Sequence, residues 1–96
     1  MDKIIYMTSL YDCYKELLTD KQKYCFEDYY FNNLTLQEIS ENEKISRNAI
    51  FKQLKNIENK LLFYEEKLKI YEKTKKLEKI IKKIEDENIK KELESL

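Results

Sequence analysis

The sequence predicts an all-α fold, and its length and composition carry this prediction. The 96 residues include no glycine and no proline, the residues that most often punctuate strands, hairpins and phosphate-cradling loops. Lysine, glutamate, leucine and isoleucine dominate instead. A chain of this length has room for one domain and a short appendage. We therefore expect a helical head with a helical tail and no second core.

The first helix is predicted from about Lys3 to Leu17. Apolar side chains recur there at steps of three and four residues, the spacing of one helix face. These positions, expected to form one buried stripe, are Ile4, Met7, Tyr11, Tyr14 and Leu18.

A second helix is predicted after Thr19, whose hydroxyl can cap it while Gln22 reaches back to the capping amide. Asn32 and Asn33 end this helix, because asparagine tolerates the left-handed backbone found at helix ends. The helix carries an aromatic cluster of Tyr24, Phe26, Tyr29, Tyr30 and Phe31. Such rings can stack on unpaired bases, but a chain with no tryptophan and one alanine needs them for its core. We therefore expect the cluster to be buried.

Residues 35–57, TLQEISENEKISRNAIFKQLKNI, have the pattern of a helix-turn-helix. Thr35 and Glu38 form a capping box at the first helix, and Ser46 caps the second. The aliphatic residues that would close the corner and continue along the second helix are Ile39, Ile45, Ile50 and Leu54. The corner has Lys44 where glycine is common, and Glu43 where an apolar residue is common. An ordinary helical hairpin is therefore the alternative.

The outer face of the second helix is the candidate nucleic-acid-binding surface. It carries residue types that contact phosphates, base edges or exposed bases, namely Ser46, Arg47, Asn48, Phe51, Lys52 and Lys55. Thr35 and Gln37, at the start of the preceding helix, complete this set of candidates.

The second helix of the hairpin is predicted to be long and to continue toward the tail. Beyond Leu54, apolar residues alternate at three- and four-residue steps, as in a heptad seam: Ile57, Leu61, Tyr64, Leu68 and Tyr71. A helix of about 25 residues extends about 37 Å, so its far half needs a partner surface, either the folded-back tail or another subunit. We expect a homodimer formed through this seam and the tail.

The seam breaks after Tyr71, which divides the chain into a head, residues 1–71, and an amphipathic tail, residues 72–96. The formal net charge is zero, but residues 1–48 carry six basic and nine acidic side chains, and residues 49–96 carry thirteen and ten. The basic excess lies mainly in the tail, at Lys73, Lys75, Lys76, Lys79, Lys82 and Lys83, with Lys69 just before it. These lysines could hold a polyanion, or they could form a solvated helix face.

Catalysis, cofactor binding and membrane insertion are not expected. The chain has no histidine, and Cys13 and Cys25 lack metal-ligand spacing, so a metal site or an activated nucleophile cannot be assembled. Acidic pairs such as Glu27 with Asp28 and Glu65 with Glu66 are interpreted as solvated helix charges. No stretch approaches the about 20 apolar residues that span a bilayer, and no signal peptide is recognisable, so we expect a cytoplasmic protein.

Three segments resemble the YlxM family of small bacterial helix-turn-helix proteins. They are LLTDKQKYCFEDYYFNNLTLQEIS, ISRNAIFKQLKNIENKL and YEEKLKIYEK, which together cover roughly residues 8–73. The resemblance implies an all-helical protein akin to the fourth region of bacterial sigma factors. It also implies an accessory or regulatory role in the signal recognition particle pathway, and it brings no catalytic residues.

Three functional hypotheses follow. The first is an accessory factor of protein targeting that binds the RNA or a protein of the signal recognition particle. The second is a transcription regulator that reads duplex DNA through the outer face of the second hairpin helix. The third is a protein-interaction module that grips a helical partner and binds no nucleic acid; near-zero net charge and Glu43 favour it.

Overall fold

The computed structural model describes residues 2–96, and all of its regular structure is helical. Between residues 2 and 96 there is no β-strand, which confirms the predicted all-α class. The α-helices are α1 (Lys3–Tyr14), α2 (Asp20–Tyr30), α3 (Leu36–Glu43), α4 (Arg47–Leu68), α5 (Ile70–Lys82) and α6 (Glu87–Glu94).

The predicted helix caps are confirmed. The Thr19 hydroxyl accepts from the Gln22 amide at 3.2 Å, and the Gln22 side chain accepts from the Thr19 amide at 2.9 Å. Thr35 and Glu38 form the same reciprocal pair at the start of α3, at 3.1 and 3.0 Å. Each box satisfies two backbone donors that a helix start leaves without partners.

The first helix is shorter than predicted. The α-helical part ends at Tyr14, and Lys15–Leu17 form a single 3₁₀ turn before the chain becomes extended at Leu18. The expected stripe is otherwise present, with Met7, Tyr11, Tyr14 and Leu18 buried. Ile4 is the exception, because it is 57% exposed.

Helix α4 lies at the centre of the core, and α1, α2 and α3 pack around it. The largest fully buried side chains come from all four of these helices: Leu10, Tyr14, Phe26, Ile39, Ile50, Ile57 and Leu61. Only part of the aromatic cluster of α2 is buried, contrary to expectation. Phe26 is inside, stacked between Tyr11 and Tyr30, whereas Tyr24, Tyr29 and Phe31 are exposed.

Two residues of the predicted seam are packed within the chain. Ile57 and Leu61 are 1% and 0% exposed, in the core that α1, α2 and α3 form around α4. Tyr64 and Tyr71 pack against the same core while remaining partly exposed, and Leu68 is exposed. A second copy therefore cannot reach Ile57 or Leu61 in this fold. The partner surface of the long helix is supplied by α1, α2 and α3 of the same chain.

Helix α4 does not continue into the tail, because the chain turns sharply at Lys69. Lys69 has φ 54° and ψ 33°, a left-handed conformation, and α5 begins at the next residue. The corner lies two residues before the predicted boundary between head and tail.

Glu65 and Tyr14 hold this corner. The Glu65 carboxylate accepts from the amides of Tyr71 and Glu72, each at 3.1 Å, and from the Tyr14 hydroxyl at 2.5 Å. The Tyr14 oxygen in turn accepts from the Ile70 amide at 3.0 Å. Three amides at the start of α5 are thus satisfied by side chains from α4 and α1, and the carboxylate lies where the helix dipole favours negative charge.

Glu65 and Glu27 are therefore not the solvated charges that the sequence suggested. Glu65 is 8% exposed, and Glu27, which is half-buried, accepts from the Tyr11 hydroxyl. Burial, together with the bond to Glu65, raises the pKa of Tyr14 to about 12. The buried carboxylates are structural groups that bind tyrosine hydroxyls and a helix terminus.

Candidate nucleic-acid interface

The corner between α3 and α4 is a tight left-handed turn that lysine makes in place of glycine. Lys44 has φ 58° and ψ 39°, and its amide and the Ile45 amide both donate to the Ser40 carbonyl. The Ser46 hydroxyl then accepts from the Ala49 amide at 3.1 Å and starts α4. Ile45 is half-buried and closes the corner, while Glu43 is exposed. The helix-turn-helix forms despite both departures from the common pattern.

The first turns of α4 divide cleanly into a buried and an exposed face. Ile50 and Leu54 are in the core, whereas Arg47, Asn48 and Lys52 point into solvent. Among residues 2–96, no hydrogen bond or ion pair engages the side chains of these three exposed residues. Donors that are not committed within the protein can be directed at phosphate oxygens or base edges.

Phe51 and Lys55, the other two candidates on this face, contact each other and an acidic neighbour. The Lys55 ammonium lies 5.6 Å from the centre of the Phe51 ring and 3.4 Å from a Glu58 carboxylate oxygen. Lys3, from α1, reaches the same Glu58 oxygen at 3.5 Å. Glu58 itself is buried and accepts from the Tyr30 hydroxyl. The positive charge of Lys55 is thus shared between a carboxylate and an aromatic ring.

Helix α3 contributes little positive charge to the surface. Thr35 is engaged as a cap, and Gln37 donates its amide to Glu41 at 3.1 Å. Hydrogen bonds from the backbone and side chain of Thr35 lower the pKa of Glu38. Since α3 presents glutamates and no lysine or arginine, attraction of phosphates to this surface comes from basic residues outside α3.

The basic tail is not brought together with this face. The lysines at 73, 75, 76, 79, 82 and 83 are all exposed and lie on α5 or just after it. Lys75, Lys76 and Lys79 lie near Leu62 and Glu65, in the second half of α4, and not near its first turns. Lys75 pairs with Glu78 at 3.6 Å, and Lys76 pairs with Glu72 at 3.2 Å. Helix α4 has 22 residues and is therefore about 33 Å long, which separates its first turn from the corner before the tail.

A groove beside the first turns of α4 was not foreseen. Its volume is about 480 Å³, and it lies between the start of α1, the end of α2, the segment leading into α3, and α4. Phe51 and Lys55 line it from α4, opposite Ile4 and Tyr29. Ile4 had been expected in the buried stripe. Because the groove is built from four separate stretches of the chain, no local pattern could have indicated it.

Other classes of site receive no support from the residues that the structure describes. Between residues 2 and 96, no three histidine, cysteine or acidic side chains are grouped closely enough to hold a metal ion. Cys13 and Cys25 are free thiols, and burial raises the pKa of Cys25 to about 11, which makes it a poor nucleophile at neutral pH. In the same part of the chain, no helix combines the length and the apolar character needed to cross a membrane.

Comparison with known proteins gives one family. The family model described as "Putative helix-turn-helix protein, YlxM / p13 like", UPF0122, matches residues 1–96. A UPF0122 protein of Caldanaerobacter subterraneus subsp. tengcongensis is 52% identical over 64 residues, which cover 67% of this chain and 55% of that protein. A UPF0122 protein of Thermoanaerobacter sp. is 50% identical over a stretch with the same coverage.

A more distant relative, the UPF0122 protein of Fusobacterium nucleatum, is 36% identical over 72 residues, which cover 68% of this chain and 70% of that protein. The chain thus spans about half the length of the first two relatives and more of the third. The family description names a helix-turn-helix, and α3 and α4 form one in this chain. The chain belongs to the UPF0122 family of YlxM / p13-like helix-turn-helix proteins.

Proposed function

We propose that this protein is a nucleic-acid-binding accessory or regulatory factor that contacts its ligand through the outer face of the first turns of α4. One observation carries the proposal: Arg47, Asn48 and Lys52 are exposed and uncommitted on a helix whose opposite face is anchored in the core. In helix-turn-helix proteins that bind duplex DNA, the second helix is the one that docks on the nucleic acid, with its N-terminal residues toward the bases. Membership of a helix-turn-helix family supports the same assignment.

The proposed pathway is protein targeting, with the RNA of the signal recognition particle as the ligand. This part of the proposal is supported by the resemblance to the YlxM family. A homodimer is also proposed, but its interface has to avoid the buried Ile57 and Leu61. Apolar side chains that remain exposed at the end of α4 and in the tail, Leu68, Leu77, Ile80 and Ile89, are the available surface.

The test is equilibrium binding of the purified protein to the signal recognition particle RNA of its own cell and to a length-matched DNA duplex, each over a salt titration. Arg47→Ala and Lys52→Ala should each weaken binding and reduce the dependence of log K on log salt by about one unit, if each contacts one phosphate. Lys60→Ala is the matched control, because Lys60 is an exposed lysine farther along the same helix.

The outcomes separate the hypotheses. Tight RNA binding that depends on Arg47 and Lys52 supports the targeting role. Binding to neither polymer would contradict the proposal and favour a protein partner.

Regulation of transcription is the second candidate, favoured by the exposed Arg47 and Asn48 in the first turn of α4. Arginine can make a bidentate contact with guanine, and asparagine with adenine, worth about 1–3 kcal/mol of discrimination each. If the ligand is duplex DNA, Arg47→Ala or Asn48→Ala should change which base pair is preferred. A uniform loss across sequences would instead identify phosphate contacts.

A further inference from the structure

The groove beside α4 has an aromatic and apolar lining that the protein leaves open to solvent. Phe51 is 46% exposed, and Tyr29 and Ile4 are exposed as well. The Tyr29 ring is held edge-on against Tyr30 at 5.1 Å between ring centres, and Tyr30 is fixed by its hydrogen bond to Glu58. The aromatic surface is therefore preorganised. Its volume of about 480 Å³ lies within the roughly 300–1,000 Å³ typical of sites for small molecular groups.

Charges at the groove determine what can enter it and what must stay outside. Lys3 and Lys55 flank the buried Glu58, so these three residues carry a net charge of one positive unit. The lysines, with Lys52 next to them on the exposed face, attract anionic phosphates. The buried Glu58 carboxylate, which lines the groove, repels an anion that enters it. A ligand with a flat, uncharged part and an anionic part therefore fits with the uncharged part inside.

Polar groups suited to an uncharged heterocycle also line the groove. The Asn33 side chain makes no hydrogen bond within residues 2–96, so its amide donors and its carbonyl are free. Thr35 also lines the groove, but its hydroxyl is engaged in the capping box of α3, so Asn33 is the residue that offers free polar groups. A nucleobase has both a flat face for stacking and edge groups for such bonds.

We propose that this groove binds an unpaired base of a folded RNA, stacked on Phe51 and Tyr29, while Lys3 and Lys55 contact the flanking phosphates. The proposal rests on the proposed nucleic-acid-binding function and names the feature recognised at the same surface. Bases splayed out of loops and bulges are the usual targets of sequence-specific RNA recognition, because A-form helices hide base edges in a narrow major groove.

Helix α4 contains a second phenylalanine that serves as a matched control. Phe63 is 54% exposed, and Lys67 lies 5.7 Å from its ring centre, four residues on, just as Lys55 lies 5.6 Å from Phe51. Phe63 does not line the groove. Phe51→Ala and Phe63→Ala thus remove equivalent rings from one helix, and only the first removes a wall of the groove.

The experiment uses two short RNA hairpins of equal stem length, one fully paired and one with a single bulged 2-aminopurine. This base analogue loses fluorescence when it stacks, and the protein has no tryptophan to interfere. The wild-type protein should quench the bulged probe and bind it more tightly than the paired hairpin. Phe51→Ala and Tyr29→Ala should abolish quenching and lower affinity for the bulged hairpin roughly 5- to 100-fold. Phe63→Ala should change neither, and circular dichroism checks that every variant is folded.

Two results would overturn the inference while leaving the proposed function intact. One is binding of both hairpins with equal affinity and no quenching, which would make the groove a site for something other than a base. The other is an equal loss of affinity for the bulged hairpin in Phe51→Ala and Phe63→Ala. Failure to bind either hairpin, the native RNA or duplex DNA would instead overturn both proposals.

Discussion

The two ends of α4 make nearly the same backbone turn but hold it in different ways. Lys44 before α4 and Lys69 after it have φ of 58° and 54°. At the first corner the cap is local, since Ser46 accepts from the amide three residues on and stays exposed. At the second corner the capping groups are buried and come from two helices. Tyr14 of α1 accepts from the Ile70 amide, and Glu65 in the last turn of α4 accepts from the amides of Tyr71 and Glu72.

The first corner is therefore an exposed surface, and the second is a fixed connection between the head and the tail. A local cap needs no neighbouring helix, so the outer face at the first corner remains free to meet a ligand. The second corner joins two side chains to three backbone amides, so it fixes where the tail leaves the head. Stability should therefore depend much more on the second corner than on the first.

The largest effect is expected for Glu65→Ala. It removes the buried acceptor of the Tyr14 hydroxyl and of two partly buried α5 amides, so the free energy of unfolding should fall by about 2–4 kcal/mol. Urea denaturation measures this. Glu66→Ala is the control, since Glu66 is the exposed neighbour and should change stability by less than about 0.5 kcal/mol. Equal losses in the two variants would show that the carboxylate does not hold the corner.

Tyr14→Phe should have the next largest effect. It keeps the ring but removes the hydroxyl that joins Glu65 to the Ile70 amide, at an expected cost of about 1–2 kcal/mol. Leu17→Ala, on the exposed 3₁₀ turn, is the comparison variant and should cost less. A cost near zero for Tyr14→Phe would mean that Glu65 caps α5 alone.

The same hydroxyl predicts a dependence of stability on alkaline pH. Burial and Glu65 raise the pKa of Tyr14 from 10.0 to about 12, so the unfolded chain releases the phenol proton first. The contribution of Tyr14 to stability is complete below pH 10 and is lost as the pH rises through about 12. Tyr14→Phe should lose less stability over this interval in parallel denaturation series. Some loss should remain in the variant, because burial also raises the pKa of Tyr11 and Tyr30.

Ser46→Ala tests the first corner and should cost about 1 kcal/mol, the usual value for a lost N-cap. Ser46→Asp retains an oxygen acceptor and should stay close to the wild type in thermal unfolding. A larger loss for Ser46→Ala than for Glu65→Ala would reverse the ranking of the two corners.

The smallest effect, a gain, is expected for glycine at the turn residues. Lys44→Gly and Lys69→Gly should each raise the free energy of unfolding by at most about 1 kcal/mol, because glycine adopts the left-handed conformation without the strain of a Cβ atom. The two gains should be similar, since the backbone angles are similar. A loss at Lys69 alone would indicate that its side chain contributes to the joint.

The first corner could be predicted from sequence because every group that forms it lies between Thr35 and Leu54. The capping box at Thr35, the cap at Ser46 and the buried Ile39, Ile50 and Leu54 all follow from short spacings. The nucleic-acid candidates on α4 follow from the same periodicity, since the residues opposite a buried face must be exposed. Their participation in binding stays a prediction.

The second corner could not be predicted in this way. Tyr14 and the Ile70 amide are 56 residues apart in sequence, and a hydrogen bond over that distance leaves no local pattern. The apolar spacing also continues past the helix break at Lys69. Tyr71, which follows the break, is still packed, because its ring lies 5.6 Å from that of Tyr6 between ring centres. Heptad spacing therefore indicated one continuous helix and an intermolecular seam, whereas the helix breaks at Lys69 and the seam positions Ile57 and Leu61 are buried in the core of the same chain.

The length of α4 also fixes how far apart its two ends can act on one ligand. The helix has 22 residues, so about 30 Å along its axis separates Arg47, in the first turn, from Lys67, in the last. That distance is close to the rise of about nine base pairs of duplex at about 3.4 Å per pair. A ligand much shorter than this can contact one of the two residues but not both.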